Sequence, residues 1–327
     1  MKKTVADLPD LYGKRVLVRV DFNVPLDKAG NITNDRRIRA ALPTLKTLLD
    51  RGAALILMSH LGRPTGDATA DAPFTMVTVA QRLAKLLNNH VRAINQVVGP
   101  LATNEAQALK PGEVLVLENV RFHPGEQKKD QALGAELAKL GDIYVNDAFG
   151  TCHRKDVSMV ALPAAMKGKP RVVGLLVAKE LEILDRLLSK PQRPLLGILG
   201  GGKVSDKILF IKSLLSRVDK VLIGGAMTYT FLKAKGMNVG GSRLEADKLD
   251  VARELLEMSK GKITLPVDHL IVDKIDAPNT ARVVEGGIPD GWIGVDIGPR
   301  TISQYTDEVR KAAMVMWNGP LGKFEDE

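Results

Sequence analysis

Short, nearly continuous apolar segments recur along the chain and are separated by amphipathic stretches. The apolar segments lie at 16–20, 55–58, 114–117, 143–145, 195–199, 221–223, 263–267 and 314–317. Apolar runs this short are typical of strands that are buried on both faces and are therefore parallel. Between several of them the apolar residues follow one helical face, as Ile38, Ala41 and Leu45 do. This alternation predicts an α/β fold with doubly wound parallel sheets.

The length of the chain predicts two such sheets. At 327 residues it exceeds the size at which a single hydrophobic core keeps growing. A long amphipathic helical pattern at 173–188 lies near the middle, between a basic stretch and a proline-containing one. We therefore expect a first domain at 1–172, a connecting helix at 173–188 and a second domain at 189–327.

The composition is that of a globular protein, with 45% apolar and 26% charged residues. No leader-like segment or membrane-spanning run is evident, so we expect a cytoplasmic protein. Because Cys152 is the single cysteine, the chain has no intrachain disulfide and no cysteine-built zinc site. Cys152 is most simply a small buried residue.

The formal net charge of +9 raises the possibility of nucleic-acid binding. Aromatic residues make up only 4% of the chain, and basic residues are interspersed with acidic ones instead of forming a stripe with stacking platforms. The pattern argues against a nucleic-acid partner, and small polyanionic substrates explain the excess charge equally well.

Ligands of open α/β sheets bind beyond the carboxyl ends of the strands, and the first half of the chain places an anion-binding set there. The set consists of Arg37, Arg63, Arg121, Arg154, His60 and His153. Several guanidinium forks together select a multiply charged ligand. Asp21 and Asn23 could orient a hydroxyl group of that ligand, although each alone could equally be a turn residue at a strand end.

The second half carries glycine-rich turns after its strands. In residues 200–207 the backbone of a triple glycine could approach a phosphate closely, but Val204 occupies the place of the Ser or Thr of a Walker P-loop. Lys203 and Lys207 are predicted on one face of the first turns of a helix, where they need anionic partners. Asn318 and Glu325 could close a nucleotide site, with a strand-ending turn as the alternative. Asp268 is predicted to follow the strand at 263–267.

The chain shows no serine or cysteine nucleophile with an adjacent base and no paired carboxylates of a hydrolase. Direct phosphoryl transfer needs neither, because it depends on in-line positioning of donor and acceptor and on positive charge around the migrating group.

Seven segments of the chain carry a combined signal: RVDFNVPLD (19–27), SHLGRP (59–64), LENVRFHPGE (117–126), NDAFGTCHR (146–154), GGGKVSDK (200–207), GGAM (224–227) and WNGPLGKFE (317–325). In this order they resemble the successive signature segments of the phosphoglycerate kinase family. The resemblance implies two Rossmann-like domains joined by a hinge helix. The first domain would hold 3-phosphoglycerate or 1,3-bisphosphoglycerate, and the second would hold ATP or ADP with Mg²⁺.

The resemblance also assigns residues to each site. The implied substrate-binding residues are Asp21, Asn23, Arg37, His60, Arg63, Arg121 and Arg154. The implied nucleotide-binding residues are Lys203, Lys207, Gly225, Gly294, Asn318 and Glu325. Domain closure would precede direct transfer, with Arg37 and Lys203 balancing the charge of the phosphoryl group. The expected protein is a monomer that acts on small molecules, without a nucleic-acid or membrane partner.

Family members continue past the last of these segments into a glycine-rich loop whose Asp binds the magnesium of the nucleotide. That ligand would lie beyond Glu327, so we predict no protein ligand for Mg²⁺ within the chain and impaired turnover. Two alternatives differ in class. An NAD-dependent dehydrogenase is disfavoured by the missing dinucleotide fingerprint, and a non-catalytic phosphometabolite-binding or nucleic-acid-binding protein would show itself by the salt dependence of its binding.

Overall fold

The structure, a computed structural model, describes residues 2–276 and 278–323. The chain divides into two compact units, Met1–Leu184 and Asp185–Glu327. Within the described residues, every helix is too short or too polar to cross a bilayer.

The first unit is built on a six-stranded, entirely parallel sheet. Its strands are β1 (Arg15–Val20), β2 (Ala54–Met58), β3 (Val91–Ala93), β4 (Val114–Val116), β5 (Ile143–Asp147) and β6 (Arg171–Val173), in the spatial order β3-β4-β2-β1-β5-β6. The chain order reverses around β1, which places a topological switch point at the centre of the sheet. The prediction of a parallel α/β sheet is confirmed.

Helices cover both faces of this sheet. They are α1 (Arg36–Leu49), α2 (Ala68–Asp71), α3 (Val77–Leu87), α4 (Pro100–Ala108), α5 (Gln131–Lys139), α6 (Ala161–Ala165) and α7 (Leu175–Ser189). Alternate residues of β1 enter different cores: Val18 packs with the residues of α1 and α3, whereas Leu17 packs with those of α4, α5 and α6. Burial on both faces explains why β1 is apolar at nearly every position.

The second unit contains a four-stranded parallel sheet in the order β13-β7-β8-β9. The strands are β7 (Leu195–Leu199), β8 (Lys220–Ile223), β9 (Ile263–Thr264) and β13 (Met314–Asn318). The helices of this unit are α8 (Ile208–Leu215), α9 (Met227–Ala234), α10 (Leu249–Met258) and α11 (Pro299–Lys311).

Short 3-10 helices occur in both units, at Val5–Asp7, Ala72–Phe74, Val120–Phe122, Glu126–Lys128, Phe149–Thr151, Ala246–Lys248 and Pro278–Thr280.

A three-stranded antiparallel sheet, absent from the prediction, completes the second unit. It consists of β10 (Asp268–Val272), β11 (Arg282–Glu285) and β12 (Ile293–Ile297), in the order β11-β10-β12. The apolar run at 263–267 is therefore only partly a strand. Asp268 opens β10, and its carboxylate accepts hydrogen bonds from the backbone N–H groups of Arg300 and Thr301 at 2.9 and 2.7 Å. It caps the first turn of α11.

Each predicted apolar segment contains a strand, but the sequence analysis missed β3 and β6 as well as the antiparallel sheet. The predicted connecting helix at 173–188 corresponds to α7, and the boundary between the two units falls inside it. Its role as a hinge stays a prediction.

Candidate functional site

The loops that follow β1, β2, β4 and β5 lie at one edge of the first sheet. In the parallel register Val20 pairs with Asp147, Arg19 pairs with Met58, and Leu57 pairs with Val116, so these strands end at nearly the same level. The residues that follow them therefore share one edge, as the sequence predicts for a ligand-binding edge.

Arg37 and Asp21 form an ion pair at this edge. The Nη1 of Arg37, in the first turn of α1, donates to the Oδ2 of Asp21 at 2.6 Å. The Asp21 side chain is only 11% exposed, whereas that of Arg37 is 50% exposed. The carboxylate therefore holds one arm of the guanidinium while the rest stays accessible to a ligand.

The peptide groups of Gly62 tie two loops together. The Oδ1 of Asn23 accepts from the Gly62 N–H at 2.8 Å, and the Nη1 of Arg121 donates to the Gly62 carbonyl at 2.7 Å. Gly62 has φ +62°, and a Cβ there would lie 2.5 Å from the ring of Phe74. Only glycine fits this position without strain, so the sequence motif SHLGRP fixes where Arg121 lies.

Asn119 holds the same loop in place through its side-chain amide. This fully buried residue accepts from the N–H of Leu61 and donates to its carbonyl at 2.8 Å, and its Oδ1 also accepts from the Arg121 N–H at 3.1 Å. A buried amide with its donors and acceptor paired rigidifies the loops that it joins.

Arg154 and Arg63 differ in how firmly they are held. The Nε of Arg154 donates to the buried Asp156 at 2.8 Å. Arg63 is exposed and makes no side-chain hydrogen bond to any described residue. Arg154 is thus preorganised, and Arg63 is free to follow a ligand.

His60 lies where the arginines converge. Burial of the ring, together with the positive charges of Arg19, Arg121, Arg154 and Arg37 in that order, lowers the pKa of His60 to about 3. The ring is therefore neutral at pH 7. The structure thus brings Asp21, Asn23, Arg37, His60, Arg121 and Arg154 to one edge.

Sequence reasoning missed the residues beneath His60. Arg19 is completely buried in β1 and contacts Ser158 and His60, and Ser158 in turn bonds the buried Glu126. A signal was present, because Arg19 is a charge within the apolar run at 16–20. The expectation for Cys152 was wrong: it is exposed, because it lies in the loop after β5.

In the second unit three glycine-containing turns pack backbone against backbone. A Cβ on Gly200 would lie 1.8 Å from the Pro320 carbonyl oxygen. One on Gly225, which has φ +67°, would lie 2.5 Å from the Gly201 nitrogen. Close approach of these turns therefore requires glycine.

A cavity of about 620 Å³ opens beside these turns. It is lined by Gly201, Gly202, Gly225, Ala226, Gly241, Arg243, Ile275, Ile293, Gly294, Val295, Pro320, Gly322 and Lys323. The predicted residues Gly225 and Gly294 belong to this lining. Arg243 was missed; it is exposed, lies close to Gly202 and has no side-chain partner among the described residues.

The lysines lie at the cavity's glycine-rich turn but not on a helix. The helix α8 begins at Ile208, so the prediction that Lys203 and Lys207 share its first turns was wrong. The helix starts late because Glu245 accepts from the N–H groups of Val204 and Ser205 at 2.5 and 3.2 Å and holds them in a turn. Lys207 donates to the Oδ1 of Asn318, whereas Lys203 is exposed and unpaired within the described residues.

Three successive N–H groups remain for a ligand. Those of Gly201, Gly202 and Lys203 donate to no acceptor in the described part of the chain. Consecutive free backbone N–H groups beside lysine side chains make an anion-binding concavity. The predicted Glu325 lies outside the described residues.

Comparisons with known proteins identify the family of the chain. The family model described as phosphoglycerate kinase matches residues 5–327. The phosphoglycerate kinase of Rhodopirellula baltica is 52% identical over 99% of this chain and 82% of its own length, and that of Aquifex aeolicus is 47% identical over 99% and 81%.

This chain belongs to the phosphoglycerate kinase family. Solved structures of family members share its fold. The phosphoglycerate kinase of Coxiella burnetii gives a TM-score of 0.80 at 36% identity, over 99% of this chain and 82% of the other. That of Pyrococcus horikoshii OT3 gives 0.84 at 32% identity, over 98% and 81%.

Phosphoglycerate kinases transfer a phosphoryl group reversibly between 1,3-bisphosphoglycerate and ADP in glycolysis, and this kinase activity is that of the chain. The resemblance in the sequence is confirmed, and neither the dehydrogenase nor the non-catalytic alternative has support.

The family's nucleotide substrate carries Mg²⁺. Among residues 2–276 and 278–323 of this phosphoglycerate kinase, no three His, Cys, Asp or Glu side chains are grouped so that they could hold a metal ion. Mg²⁺ is commonly held by one or two carboxylates together with substrate phosphates, so the described residues fit a metal that arrives with the nucleotide.

Proposed function

We propose that the first unit of this phosphoglycerate kinase binds 3-phosphoglycerate or 1,3-bisphosphoglycerate and that the second unit binds ATP or ADP. The observation that carries the first assignment is that Arg37, Arg121 and Arg154, each held by a partner at one edge of the sheet, are close enough to His60 to lower its pKa. No carboxylate balances this set completely, because Asp21 and Asp156 each engage a single arginine.

The chemistry of the edge suits a ligand with both a phosphate and a carboxylate. Guanidinium groups match both oxyanions with paired donors. The Nη1 of Arg121 is held by the Gly62 carbonyl, and its buried Nε has no acceptor among the described residues. We assign Arg63 to the same ligand, and the amide of Asn23 to its hydroxyl group.

The second unit offers different groups for the nucleotide. The cavity of about 620 Å³ is lined largely by glycine backbone and by Ile275, Ile293 and Val295, which suits the flat, weakly polar base. The free N–H groups of Gly201, Gly202 and Lys203, with the Lys207–Asn318 pair, suit the phosphates. Glu325 remains assigned to this site by family resemblance alone.

We assign to Arg37 and Lys203 the neutralisation of charge on the transferred group. A carboxylate oxygen of 3-phosphoglycerate attacks the γ-phosphorus of ATP, the bond from that phosphorus to the β–γ bridging oxygen breaks, and ADP leaves; the reverse reaction makes ATP. No protein nucleophile takes part, so the contribution of the residues is positioning and positive charge. Mg²⁺ bound to the nucleotide would add further charge neutralisation. A cytoplasmic monomer without a nucleic-acid partner is part of the same proposal.

The test compares Arg37→Ala with Arg36→Ala. Both arginines are exposed in the first turn of α1, but the Arg36 side chain has no polar partner among the described residues, whereas Arg37 pairs with Asp21. We expect R37A to weaken 3-phosphoglycerate binding and lower kcat, with nucleotide binding unchanged, and R36A to behave as the unsubstituted chain in calorimetry and coupled assays. Equal effects of the two substitutions would refute the assignment.

A further inference from the structure

The buried arginine beneath the substrate edge has a fixed set of partners. Arg19, with none of its surface exposed, donates from Nε to the Oγ of Ser158 at 2.8 Å and from Nη1 to the Val20 carbonyl. Its remaining nitrogen, Nη2, lies 3.2 Å from the Nδ1 of His60. A buried charge held by three separate groups is strongly constrained in position.

A buried carboxylate balances this charge through Ser158. The Oε1 and Oε2 atoms of Glu126, also without exposed surface, accept from the Oγ and N–H of Ser158 at 2.5 and 3.0 Å. Burial raises the pKa of Glu126, while the nearby charge of Arg19 lowers it. The hydroxyl of Ser158 accepts from Arg19 and donates to Glu126, so the direction of every bond in this chain is set.

The direction of hydrogen bonding also determines which ring nitrogen of His60 carries the proton. A guanidinium has only donors, so the hydrogen bond between Arg19 and His60 requires a lone pair on Nδ1. A neutral imidazole with its lone pair on Nδ1 carries its hydrogen on Nε2. That Nε2 makes no hydrogen bond to any described residue, and His60 as a whole is only 5% exposed.

We propose that Arg19 is a positioning residue that holds His60 in the Nε2–H form, so that this N–H donates to a phosphate or carboxylate oxygen of the phosphoglycerate. The inference rests on the proposed substrate site. It separates two roles at the edge: the arginines supply charge, and His60 supplies one directional, uncharged donor.

The surroundings keep the ring neutral. The charged groups that act on His60 come from different elements: Arg19 from β1, Arg37 from α1, and Arg121 and Arg154 from the loops after β4 and β5. These four cations together with burial lower the pKa of His60 to about 3, although Asp21 and Asp156 pair with Arg37 and Arg154 at the same edge. Protonation of Nδ1 would also break its bond to Arg19.

The direct test is NMR of the ¹⁵N-labelled, unsubstituted chain, in which two-bond couplings distinguish the two ring nitrogens. We expect an unprotonated Nδ1 and a protonated Nε2 for His60 from pH 8 down to about pH 5. A ring protonated on Nδ1, a mixture of the two neutral forms, or an imidazolium at pH 6 would overturn the inference. No substitution is needed for this measurement.

Adding 3-phosphoglycerate separates this inference from the proposed function. If the ligand binds by calorimetry and shifts the His60 Nε2–H resonance, both stand. If it binds without moving that resonance, the donor role is wrong although the substrate site stands. If it does not bind at all, the proposed substrate site fails, and the ring's protonation still decides whether Arg19 acts as inferred.

A double substitution tests the role in turnover. Arg19→Met with Glu126→Gln removes both buried charges, because removal of one alone would leave an unpaired buried charge. We expect mixed neutral forms of His60 and a KM for 3-phosphoglycerate raised about tenfold, with the KM for ATP unchanged. Arg19→Lys should restore much of the substrate affinity, since an ammonium also only donates. An unchanged KM in a folded double variant would overturn the inference.

Discussion

The carboxyl edge of the first sheet is filled with guanidinium groups, whereas the corresponding turns of the second unit consist of glycine backbone and lysines. In the first unit Asp21, Asp156 and Asn119 hold the arginines or their loops in place. In the second unit Gly200 and Gly225 bring bare backbone together beside a large cavity. Both edges suit anions, but one uses side chains and the other uses main-chain N–H groups.

The difference follows from the size of the ligands. A three-carbon acid has little surface beyond its charges, so recognition must come from several side-chain donors in fixed positions. A nucleotide has a broad base that packs on flat backbone, and its phosphates can be held by consecutive N–H groups. Substitutions should therefore act through charge at the first edge and through main-chain geometry at the second.

The largest expected effect is at Lys203. This lysine acts through its charge, although the edge on which it lies is otherwise formed by glycine backbone. Lys203→Ala should lower kcat about a hundredfold, because a cation aimed at the charge that develops on the phosphoryl group is lost. Since the exposed Lys203 side chain makes no hydrogen bond or ion pair with a described residue, the melting temperature should not change. Lys235→Ala, at another exposed position of the unit, serves as the control in the coupled assay. Near-normal turnover by K203A would remove Lys203 from the catalytic set.

A second substitution tests whether the nucleotide edge depends on backbone packing. Gly225→Ala and Gly236→Ala both place a side chain at positive φ, but only the first also collides with neighbouring backbone. We expect G236A to cost about 1 kcal/mol of unfolding free energy, and G225A at least about 2 kcal/mol more together with loss of ATP affinity. Equal costs in denaturant titrations would show that the turns can move apart.

The pH dependence of stability tests the charge-dominated edge. Because the folded pKa of His60 is lowered to about 3, the unfolded chain takes up a proton below its ordinary pKa near 6.5 while the folded chain does not. His60 therefore costs no stability above that pH and reduces it by up to about 1.4 kcal/mol per pH unit as the pH falls from 6.5 toward 3.

His60→Gln should reduce this loss of stability at acid pH, whereas substitution of the exposed His90 by Gln should not. Both tryptophans, Trp292 and Trp317, lie in the second unit, so their fluorescence would follow the wrong region. Hydrogen exchange of β1 and β2 is the suitable measurement. A loss of stability at acid pH that is the same in H60Q would mean that the ring is protonated in the folded state.

The smallest effects are expected from the exposed arginines, one at each site. Arg63→Ala should raise the KM for 3-phosphoglycerate about fivefold and leave the KM for ATP unchanged, and Arg243→Ala should do the reverse. Neither side chain has a partner among the described residues, so neither substitution should alter stability. If either substitution raised the KM for the other substrate, or for both substrates, the assignment of one substrate to each edge would be wrong.

Much of the candidate site could be predicted from the sequence because parallel strands bring their following loops together. The motifs around Asp21, His60, Arg121 and Arg154 follow strands that the apolar pattern locates. The late start of α8 could not be predicted, since it depends on Glu245, which lies 41 positions after Val204. Nor could the antiparallel sheet, whose strand β11 is largely exposed and carries no continuous apolar run.

The sequence by itself determined the family, the parallel α/β class and the residue types at both edges, because these depend on local pattern and on ordered motifs. Only the tertiary structure decided which groups meet: Arg19 under His60, Lys207 against Asn318, and Asp268 on the first turn of α11. Such contacts join residues far apart in the chain, and a hydrogen bond depends on distance and direction, which no local pattern contains.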